Sequence, residues 1–514
     1  MINRDGSCIS LWQDNINEFI PANQPDFNSE YDVIIVGGGI TGINTALLLQ
    51  AAGKKCIVLE AHNLGFGTTG GTTAHLNTLL DTPYTTINKN FGKEKAIQVA
   101  NAVKDAIDQI KSNIDKYKID CGFLEADAYL FAQDEHQEKE LQEILEATND
   151  AGVKAVYTDC IPVPFPFVKA MKVSGQAKFN PLQYVHGLAA AFENKGGVIV
   201  QNCMVTGVED NEWVEAETNT GTFKGKELIY ATHIPPGINL LHLRCVPYRS
   251  YAVAVTLRNN EYPADLAYDM VDPYHYYRAQ DVNGTTYLIA GGKDHKTAHE
   301  ENTDKSFLEM EAQVLKHFPV ENIEYRWSSQ YFESADGLPY IGHLPGHPQH
   351  IYVATGFGGN GMVYSHVAAL TLREILLNQE QKYSSLFNPN RIKPVAGFTN
   401  FIKHNADVAK QFANKWFSHE EIHELADLAP GEGRVVIFNK QKIGLFKHET
   451  GALYAVNPIC SHMKCEVKWN VAERTWDCPC HGARYSYDGS VITGPADREL
   501  EQIAIKSLQE EEKH

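Results

Sequence analysis

The sequence predicts an α/β domain with an inserted antiparallel sheet, followed by a small all-β domain near the C-terminus. Three observations support this fold class. A buried-type strand at 31–36 leads into a glycine-rich turn and a helix. "PYRSYAVAV" and "DPYHYYRAQDVNGTTYLIAGGKDH" have the mixed aromatic and polar pattern of antiparallel strands. After residue 420, "GRVVIFN", "KIGLFKH" and "ALYAVN" are typical of short strands separated by turns.

A proline-containing segment separates the two parts of the chain. "QKYSSLFNPNRIKPVAG", at 381–397, follows a strongly helical pattern and contains turn-forming residues. Helix-like spacing resumes at Phe398, Ile402, Val408 and Phe412. The predicted boundaries are an N-terminal extension at 1–30, a large domain at 31–380 with its inserted part at roughly 80–165 and 245–325, a linker with a helix at 381–419, and a C-terminal domain at 420–514.

The start of the large domain carries a dinucleotide-binding pattern. In "YDVIIVGGGITGINTALLLQAAGKKCIVLEAH", a strand, a G-x-G-x-x-G turn, a helix and a second strand follow in order. Gly37, Gly39 and Gly42 allow the backbone to approach a pyrophosphate at the helix N-terminus. Glu60, at the end of the second strand, can accept a hydrogen bond from a ribose hydroxyl. This pattern by itself does not distinguish FAD from NAD.

Two cysteine–histidine clusters near the C-terminus predict a metal centre. "CSHMKC" and "CPCH" read as C-x-H, fifteen residues, and C-x-x-H, with Cys460, His462, Cys478 and His481 as the candidate ligands. Zinc could use two cysteines and two histidines. Each cluster, however, supplies one cysteine and one histidine, which suits an asymmetric [2Fe–2S] centre with two thiolates on one iron and two imidazoles on the other.

With "GS" and "GPA" in "YDGSVITGPADREL", this region resembles a Rieske domain. The resemblance implies a disulfide between Cys465 and Cys480, because Rieske proteins of bc-type complexes have one at the matching positions. Two reduced thiols are the alternative, since cytosolic disulfides are uncommon. A serine that donates to a bridging sulfide in those proteins is replaced here by Ala483. Tyr485 matches a tyrosine that donates to a ligand thiolate.

Further segments of the large domain resemble the D-amino-acid oxidase and glycine oxidase superfamily over roughly 31–380. They include "GFGTTGGTTAHLN", "ELIYATH" and "GFGGNGM". The resemblance implies an FAD-binding Rossmann-like domain with an inserted antiparallel-sheet substrate domain, and FAD as cofactor. "GFGGNG" could also be an NAD(P)H site, but no second strand ending in an acid follows it. Besides the residues above, the candidate FAD contacts are Thr68, Thr69, Thr73, Val205, Ala231, Thr232, Gly356, Gly358, Gly359, Gly361 and Met362.

The inserted sheet supplies candidate substrate contacts. Its polar and aromatic residues include Tyr248, Tyr274, His275 and His295 as well as the preferred candidates. Each could equally be a cross-strand pair on a solvated face. Arginine can grip a substrate carboxylate through two hydrogen bonds. The preferred candidates are Arg249, Tyr251, Tyr277 and Arg278.

Composition excludes several classes of protein. The net charge is −19, with no basic stripe, so no nucleic-acid partner is expected. No apolar run approaches the length of a membrane span, and the N-terminus lacks the apolar core of a signal peptide. The remaining cysteines have no framework spacing and are expected to be reduced: Cys8, Cys56, Cys121, Cys160, Cys203 and Cys245. These features predict a cytoplasmic protein.

Together, the motifs predict an FAD-dependent oxidoreductase that takes a hydride from a C–H next to nitrogen in an amine-like substrate, with a C–H next to oxygen as the alternative. Electrons would then pass singly to the Rieske cluster and on to an external acceptor. In one alternative, an external donor feeds a reductase. In another, the flavin reacts with O2 and the cluster senses redox state. A non-enzymatic electron carrier is the third. A Rieske-type oxygenase is rejected, because the chain has no room for its mononuclear iron site.

Overall fold

The computed structural model describes residues 4–347, 349–391, 405–408, 410–411 and 428–505. The predicted linker helix lies largely outside these residues; 405–408 and 410–411 are helical. The α-helices are α1 (Leu11–Asp14), α2 (Ile40–Ala51), α3 (Thr68–Gly71), α4 (Tyr84–Phe91), α5 (Lys93–Tyr117), α6 (Glu135–Asp150), α7 (Pro181–Glu193), α8 (Thr303–His317), α9 (Gly361–Leu376) and α10 (Ser384–Phe387). Short 3-10 turns occur at Leu240–Leu243 and Gly358–Asn360.

The strands of the large domain are β1 (Glu30–Val36), β2 (Cys56–Leu59), β3 (His75–Leu76), β4 (Leu124–Ala132), β5 (Ala155–Thr158), β6 (Lys169–Lys178), β7 (Val198–Val200), β8 (Val205–Asp210), β9 (Val214–Thr218), β10 (Gly221–Tyr230), β11 (Cys245–Leu257), β12 (Leu266–Asp269), β13 (Tyr276–Val282), β14 (Thr285–Lys296), β15 (Val320–Ser334), β16 (Tyr340–His343) and β17 (Ile351–Thr355). Those of the C-terminal domain are β18 (Gly433–Phe438), β19 (Gln441–Lys447), β20 (Leu453–Val456), β21 (Lys468–Asn470), β22 (Thr475–Asp477), β23 (Arg484–Ser486) and β24 (Val491–Thr493).

The first sheet of the large domain has the order β16-β17-β10-β1-β2-β7, with β9 and β8 added beside β10. Its central strands are parallel. Every residue of β2 and β17 is buried, as expected where helices cover both faces of a parallel sheet. Helix α2 packs between α7 and α9. This arrangement brings the N-termini of α2 and α9 to the carboxyl ends of the parallel strands, where ligands bind in open α/β sheets.

The second sheet has the order β15-β11-β14-β13-β12-β4-β6-β3, with β5 beside β6. It is antiparallel except for the β4–β12 pair. Strands from both segments of the predicted insertion contribute to it. Helix α8 packs on its outer face against β11 and β14. One face therefore remains available to cover the ligand-binding edge of the first sheet.

The C-terminal domain consists of two small antiparallel sheets, β18-β19-β20 and β21-β22-β23-β24. Trp476 is fully buried in its core and packs against Trp469, with ring centroids 4.8 Å apart. The two cysteine–histidine clusters lie on the loops that join β20 to β21 and β22 to β23. Among the residues that the structure describes, no helix is both long and apolar enough to cross a membrane.

The N-terminal segment packs between the two domains. Trp12 is fully buried, and its Nε1 donates to Thr72 O at 2.6 Å. Near it, buried charges from all three parts of the chain form an interdomain ion network. Its charged pairs are Arg484–Asp5 at 3.0 Å, Arg484–Asp477 at 3.1 Å, Arg4–Asp5 at 3.3 Å, Arg249–Glu473 at 3.4 Å and Arg4–Glu473 at 3.5 Å.

Candidate active site and cluster centre

A large cavity opens where β1 and β10 end and α2 begins. Gly37 has φ +110°, and an added Cβ would lie 2.6 Å from Ala231 O. A Cβ on Gly42 would lie 1.9 Å from Gly37 O, so both positions exclude side chains. Gly39 is the N-cap of α2, which has no side-chain cap hydrogen bond. Ile40 N, the first N–H of the helix, donates to Thr69 Oγ1 at 3.1 Å. The following N–H groups at this end can bind an anion such as a pyrophosphate.

Glu60 lies on the wall of this cavity at the end of β2. Its Oε2 accepts from Gly38 N at 2.6 Å and its Oε1 from His62 N at 2.9 Å. Burial raises the pKa of the Glu60 carboxyl despite these bonds. The residue therefore holds the glycine turn in place while presenting an acceptor where a ribose would lie.

The structure brings most other predicted FAD contacts to the same wall. Gly42 and Gly356 do not line the cavity; Gly42 is needed for close packing of α2, and Gly356 has φ +74° in the turn after β17. Helix α9, like α2, has no side-chain cap hydrogen bond. The predicted residues on the wall are Gly37, Gly39, Glu60, Thr68, Thr69, Thr73, Val205, Ala231, Thr232, Gly358, Gly359, Gly361 and Met362.

The second sheet closes the cavity with tyrosines and acids. A hydrogen-bond chain runs through Tyr268: Asn77 Nδ2 donates to its hydroxyl at 2.6 Å, and that hydroxyl lies 2.6 Å from His75 Nδ1. Burial, with Arg278 and Lys178 nearby, lowers the pKa of His75 well below its usual value, so its ring is neutral. Because the Tyr268 hydroxyl donates its proton to His75 Nδ1, the hydrogen of the neutral His75 ring is on Nε2, which can donate to a ligand.

None of the four preferred substrate candidates lines this cavity. Arg249 pairs with Glu473, and Tyr251 OH lies 2.8 Å from His295 Nε2. Tyr277 packs on Phe165. Arg278 Nη1 donates to the carbonyls of residues 73 and 74, at 2.9 and 2.7 Å.

This placement corrects the sequence prediction, and strand alternation explains most of it. Successive side chains of a strand point to opposite faces. Ser250 lines the cavity, so its neighbours Arg249 and Tyr251 face away; Tyr276 lines it, so Tyr277 faces away. Of the other candidates, only Tyr274 lies on the wall. The prediction missed Tyr268, Tyr276, Asp294, Tyr331 and Asn77, although alternation outward from Tyr274 would have indicated Tyr276.

The four candidate metal ligands converge in the C-terminal domain. Cys460 and Cys478 are buried, and the thiol of Cys478 lowers the pKa of the Cys460 thiol to about 7. The rings of His462 and His481 are perpendicular, with centroids 5.1 Å apart. His462 Nδ1 is buried and has no hydrogen-bond partner among the described residues. Two adjacent thiols and two adjacent imidazoles fit the donor set of a [2Fe–2S] centre of the Rieske type.

The surroundings of these ligands also agree with the resemblance. Cys465 and Cys480 form a disulfide that ties the two loops together, so the alternative of two reduced thiols is wrong. Tyr485 OH lies 3.1 Å from Cys460 Sγ. Ala483 is fully buried, and its carbonyl accepts from Cys478 N at 2.8 Å.

The cluster loops contact segments that line the cavity. His462 Nε2 lies 3.1 Å from Gly237 O, next to the lining residue Pro236. Gln330, on the cavity wall, donates from Nε2 to Gly482 O at 2.9 Å. A third contact joins Gly237 N to Pro495 O at 3.3 Å. The cluster loops therefore lie against the cavity wall, to which the C-terminal domain itself contributes residues 491–494.

This fold and these sites define an FAD-dependent oxidoreductase with an attached Rieske [2Fe–2S] domain. The model of the FAD dependent oxidoreductase family (DAO) matches residues 32–375, and that of the Rieske [2Fe-2S] domain matches residues 418–504. The chain belongs to the family of FAD dependent oxidoreductases and carries a C-terminal Rieske domain.

One known relative matches nearly the whole chain, and others match only part of it. The putative Rieske 2Fe-2S iron-sulfur protein YhfW of Bacillus subtilis (strain 168) is 35% identical over 94% of this chain and 95% of its own. Gamma-glutamylputrescine oxidoreductase of Escherichia coli (strain K12) is 23% identical over 74% of this chain and 91% of its own. The structure of glycine oxidase from Geobacillus kaustophilus has the same fold, with TM-score 0.60, 17% identity and coverage of 71% of this chain and 99% of that one.

Proposed function

We propose that the protein oxidises an amine at a C–H next to nitrogen and passes the electrons from FAD to the Rieske cluster and on to an external one-electron acceptor. The glycine turn, Glu60 and the other predicted wall residues would hold FAD. Cys460, His462, Cys478 and His481 would hold the cluster. When bound, FAD takes up two electrons at once and the cluster carries one, so one substrate molecule reduces two acceptor molecules.

The contact between the cluster loops and the cavity wall carries this proposal. His462 Nε2 meets Gly237 O, and Gly482 O accepts from Gln330. A histidine that ligates iron through one ring nitrogen keeps a proton on the other, so His462 can donate to that carbonyl while bound to the cluster. These contacts hold the cluster beside the cofactor cavity without a large domain movement.

Two observations support an amine as the electron donor. Gamma-glutamylputrescine oxidoreductase and glycine oxidase bear names that indicate nitrogen-containing substrates. In the cavity, His75 and Tyr268 form a neutral polar chain. A neutral amine needs no strong base to lose a hydride, because its nitrogen lone pair stabilises the cation that forms.

The electron path can be tested without knowing the substrate. Under anaerobic conditions, the flavin is photoreduced and the cluster is followed by electron paramagnetic resonance; we expect the reduced cluster signal to appear after flavin bleaching. His481→Ala should abolish delivery to a one-electron acceptor, whereas His347→Ala, at an exposed position, should not. A flavin-depleted sample controls for direct photoreduction. A cluster that remains oxidised beside a reduced flavin would refute the proposed path.

We also infer a cytoplasmic location. Six cysteines outside the cluster region form no disulfide in the structure, which agrees with a reducing compartment. The Cys465–Cys480 disulfide is buried in the cluster loops, away from cytosolic thiols.

A further inference from the structure

The described wall of the cavity contains acids but no lysine or arginine. Asp81 and Asp294 lie on the part of the wall formed with the tyrosines, and the charge of each raises the pKa of Tyr274. A substrate carboxylate would find no cationic partner here and would lie near two acids. This part of the cavity is therefore unsuited to the carboxylate of an amino acid.

Asp81 and Asp294 differ in the hydrogen bonds that their carboxylate oxygens accept from the protein. Asp81 accepts from Tyr274 OH at 2.9 Å, and it also accepts from the backbone of Gly359 near the start of α9. Asp294 Oδ2 accepts from Tyr331 OH at 2.8 Å. Its Oδ1 is buried and has no hydrogen-bond partner among the described residues. Only Asp294 thus retains a carboxylate oxygen for a ligand.

Asn77 provides a second, independent acceptor. Its side chain is 3% exposed and lies on the cavity wall. The Nδ2 group is used by Tyr268, whereas Oδ1 has no partner within the described chain. A buried acceptor without a donor is destabilising. Asn77 Oδ1 and Asp294 Oδ1 are both acceptors, so a ligand that pairs with them must bring N–H or O–H donors.

The rings around these acceptors favour a positive charge. Tyr268, Tyr274, Tyr276 and Tyr331 all line the cavity. Neighbouring ring centroids lie 5.9 Å apart for Tyr274–Tyr276 and 6.5 Å apart for Tyr268–Tyr274. An ammonium group near aromatic faces is stabilised by the ring quadrupoles, most strongly when it is desolvated. Acid, amide oxygen and rings together form a cation-binding site.

We propose that the substrate is an amine that carries a second, cationic nitrogen and no carboxylate beside the reacting carbon, with Asp294 as its anchor. This inference rests on the proposed amine oxidation, in which the reacting nitrogen is neutral. The cation at Asp294 must then be a different nitrogen. Diamines and related polyamine derivatives are the chemical class with this arrangement.

Binding can be measured with probes that cannot be oxidised. In α,α,α′,α′-tetramethylbutanediamine, both carbons bonded to nitrogen lack hydrogen. tert-Butylamine is the matched monocation, and 2-aminoisobutyrate is the matched zwitterion. Isothermal calorimetry on the FAD-loaded full chain should give the order diamine, then monoamine, then zwitterion. A zwitterion that binds as tightly as the diamine would overturn the inference.

Two variants test the anchor in opposite directions. Asp294→Asn should weaken diamine binding by about tenfold or more, since a buried charge loses its partner. Asn77→Asp should tighten it by adding a second negative charge, which keeps the test valid if Asp294→Asn fails to fold. Asp150→Asn, at an exposed surface pair, is the matched control and should change nothing. Unchanged affinity in both cavity variants would overturn the inference.

These measurements also separate this inference from the proposed function. If no amine bleaches the flavin while the diamine probe still binds through Asp294, amine oxidation fails and the cation site stands. If amines bleach the flavin but the zwitterion is preferred, oxidation stands and the cation site fails.

Discussion

At the scale of single residues, the hydrogen bond between Tyr485 and Cys460 tunes the cluster. The hydroxyl lies 3.1 Å from the Cys460 sulfur, and Ser461 N donates to the same hydroxyl at 3.1 Å. That backbone donation leaves the tyrosine proton free to point at the thiolate. Donors to cluster sulfur stabilise the more negative, reduced state and raise the reduction potential.

We expect Tyr485→Phe to lower the potential of the cluster by about 40 mV, which corresponds to ~1 kcal/mol for a one-electron couple. Protein-film voltammetry measures this directly. A second substitution, Ala483→Ser, adds a hydroxyl to the second cluster loop and should raise the reduction potential of the cluster. An unchanged or lower value in Ala483→Ser would show that residue 483 does not face a bridging sulfide.

Asp294 should make cation binding depend on pH. Burial raises the pKa of Asp294 to about 6, although the nearby hydroxyls of Ser250 and Tyr331 lower it; the Asp81 charge adds to the increase, and His275 opposes it. A cation binds only the ionised carboxylate. Compared with Asp294→Asn, in which only the amine and the other acids titrate, the affinity of the unmodified protein for the diamine probe should therefore fall about tenfold more per unit below pH 6.

Calorimetry across pH 5 to pH 8 checks this dependence. Glu333 also has a pKa raised to about 7 by burial and by the charges of Asp81 and Asp294, so the curve must be compared with that of Asp294→Asn. In that variant the additional fall below pH 6 should vanish. A fall that persists unchanged would assign the titration to Glu333 or Asp81.

At the scale of elements, the loop between β22 and β23 docks on β11 and β15 through Gly482. This glycine has φ +75°, and an added Cβ would lie 2.7 Å from the Pro247 Cβ and 3.1 Å from the Gln330 Nε2. A side chain here would be strained and would also push the cluster loop away from the cavity wall.

Gly482→Ala should destabilise the C-terminal domain and slow cluster reduction by the flavin. Gly451→Ala is the matched control, because Gly451 has φ +86° but nothing within 4 Å of the added Cβ. Strain alone costs about 1 kcal/mol; the excess loss in Gly482→Ala reports the clash. Thermal unfolding followed at the cluster absorbance gives both values. Equal losses in the two variants would argue against tight docking.

At the scale of the whole molecule, the interdomain ion network joins the N-terminal segment, the large domain and the C-terminal domain. Glu473 is central to it. Burial alone would raise its pKa, but the guanidinium groups of Arg4, Arg249 and Arg484 outweigh burial and hold the pKa at about 2. Folded-state stabilisation of the ionised form is therefore present above pH 4.5 and is lost as pH falls towards 2.

This shift corresponds to about 3 kcal/mol at neutral pH. Glu473→Gln should lower the unfolding temperature and split the calorimetric transition into two, because the domains lose their common anchor. Glu499→Gln, at an exposed position, should leave the transition as it is. A single transition at the original temperature in Glu473→Gln would show that packing alone holds the domains together.

Local sequence determined the parts of this protein that depend on short-range spacing. The glycine turn, Glu60 and the cluster ligands lie within short segments whose geometry is set by a strand–turn–helix unit or by two loops. The disulfide and the role of Tyr485 came from family resemblance rather than spacing, and the structure agrees with both. The domain order was also evident, because composition and periodicity change along the chain.

Only the tertiary structure decided which side chains face the substrate and where the cluster lies relative to the flavin cavity. Strand pairing sets which alternate residues point inward, so Tyr276 reaches the cavity and Tyr277 does not. Arg278 is on the same face as Tyr276, but its guanidinium donates to backbone carbonyls. Arg249 looked like a carboxylate-binding group, but it neutralises Glu473 from the other domain. Such long-range pairings depend on the packing of distant segments, which residue spacing along the chain does not encode.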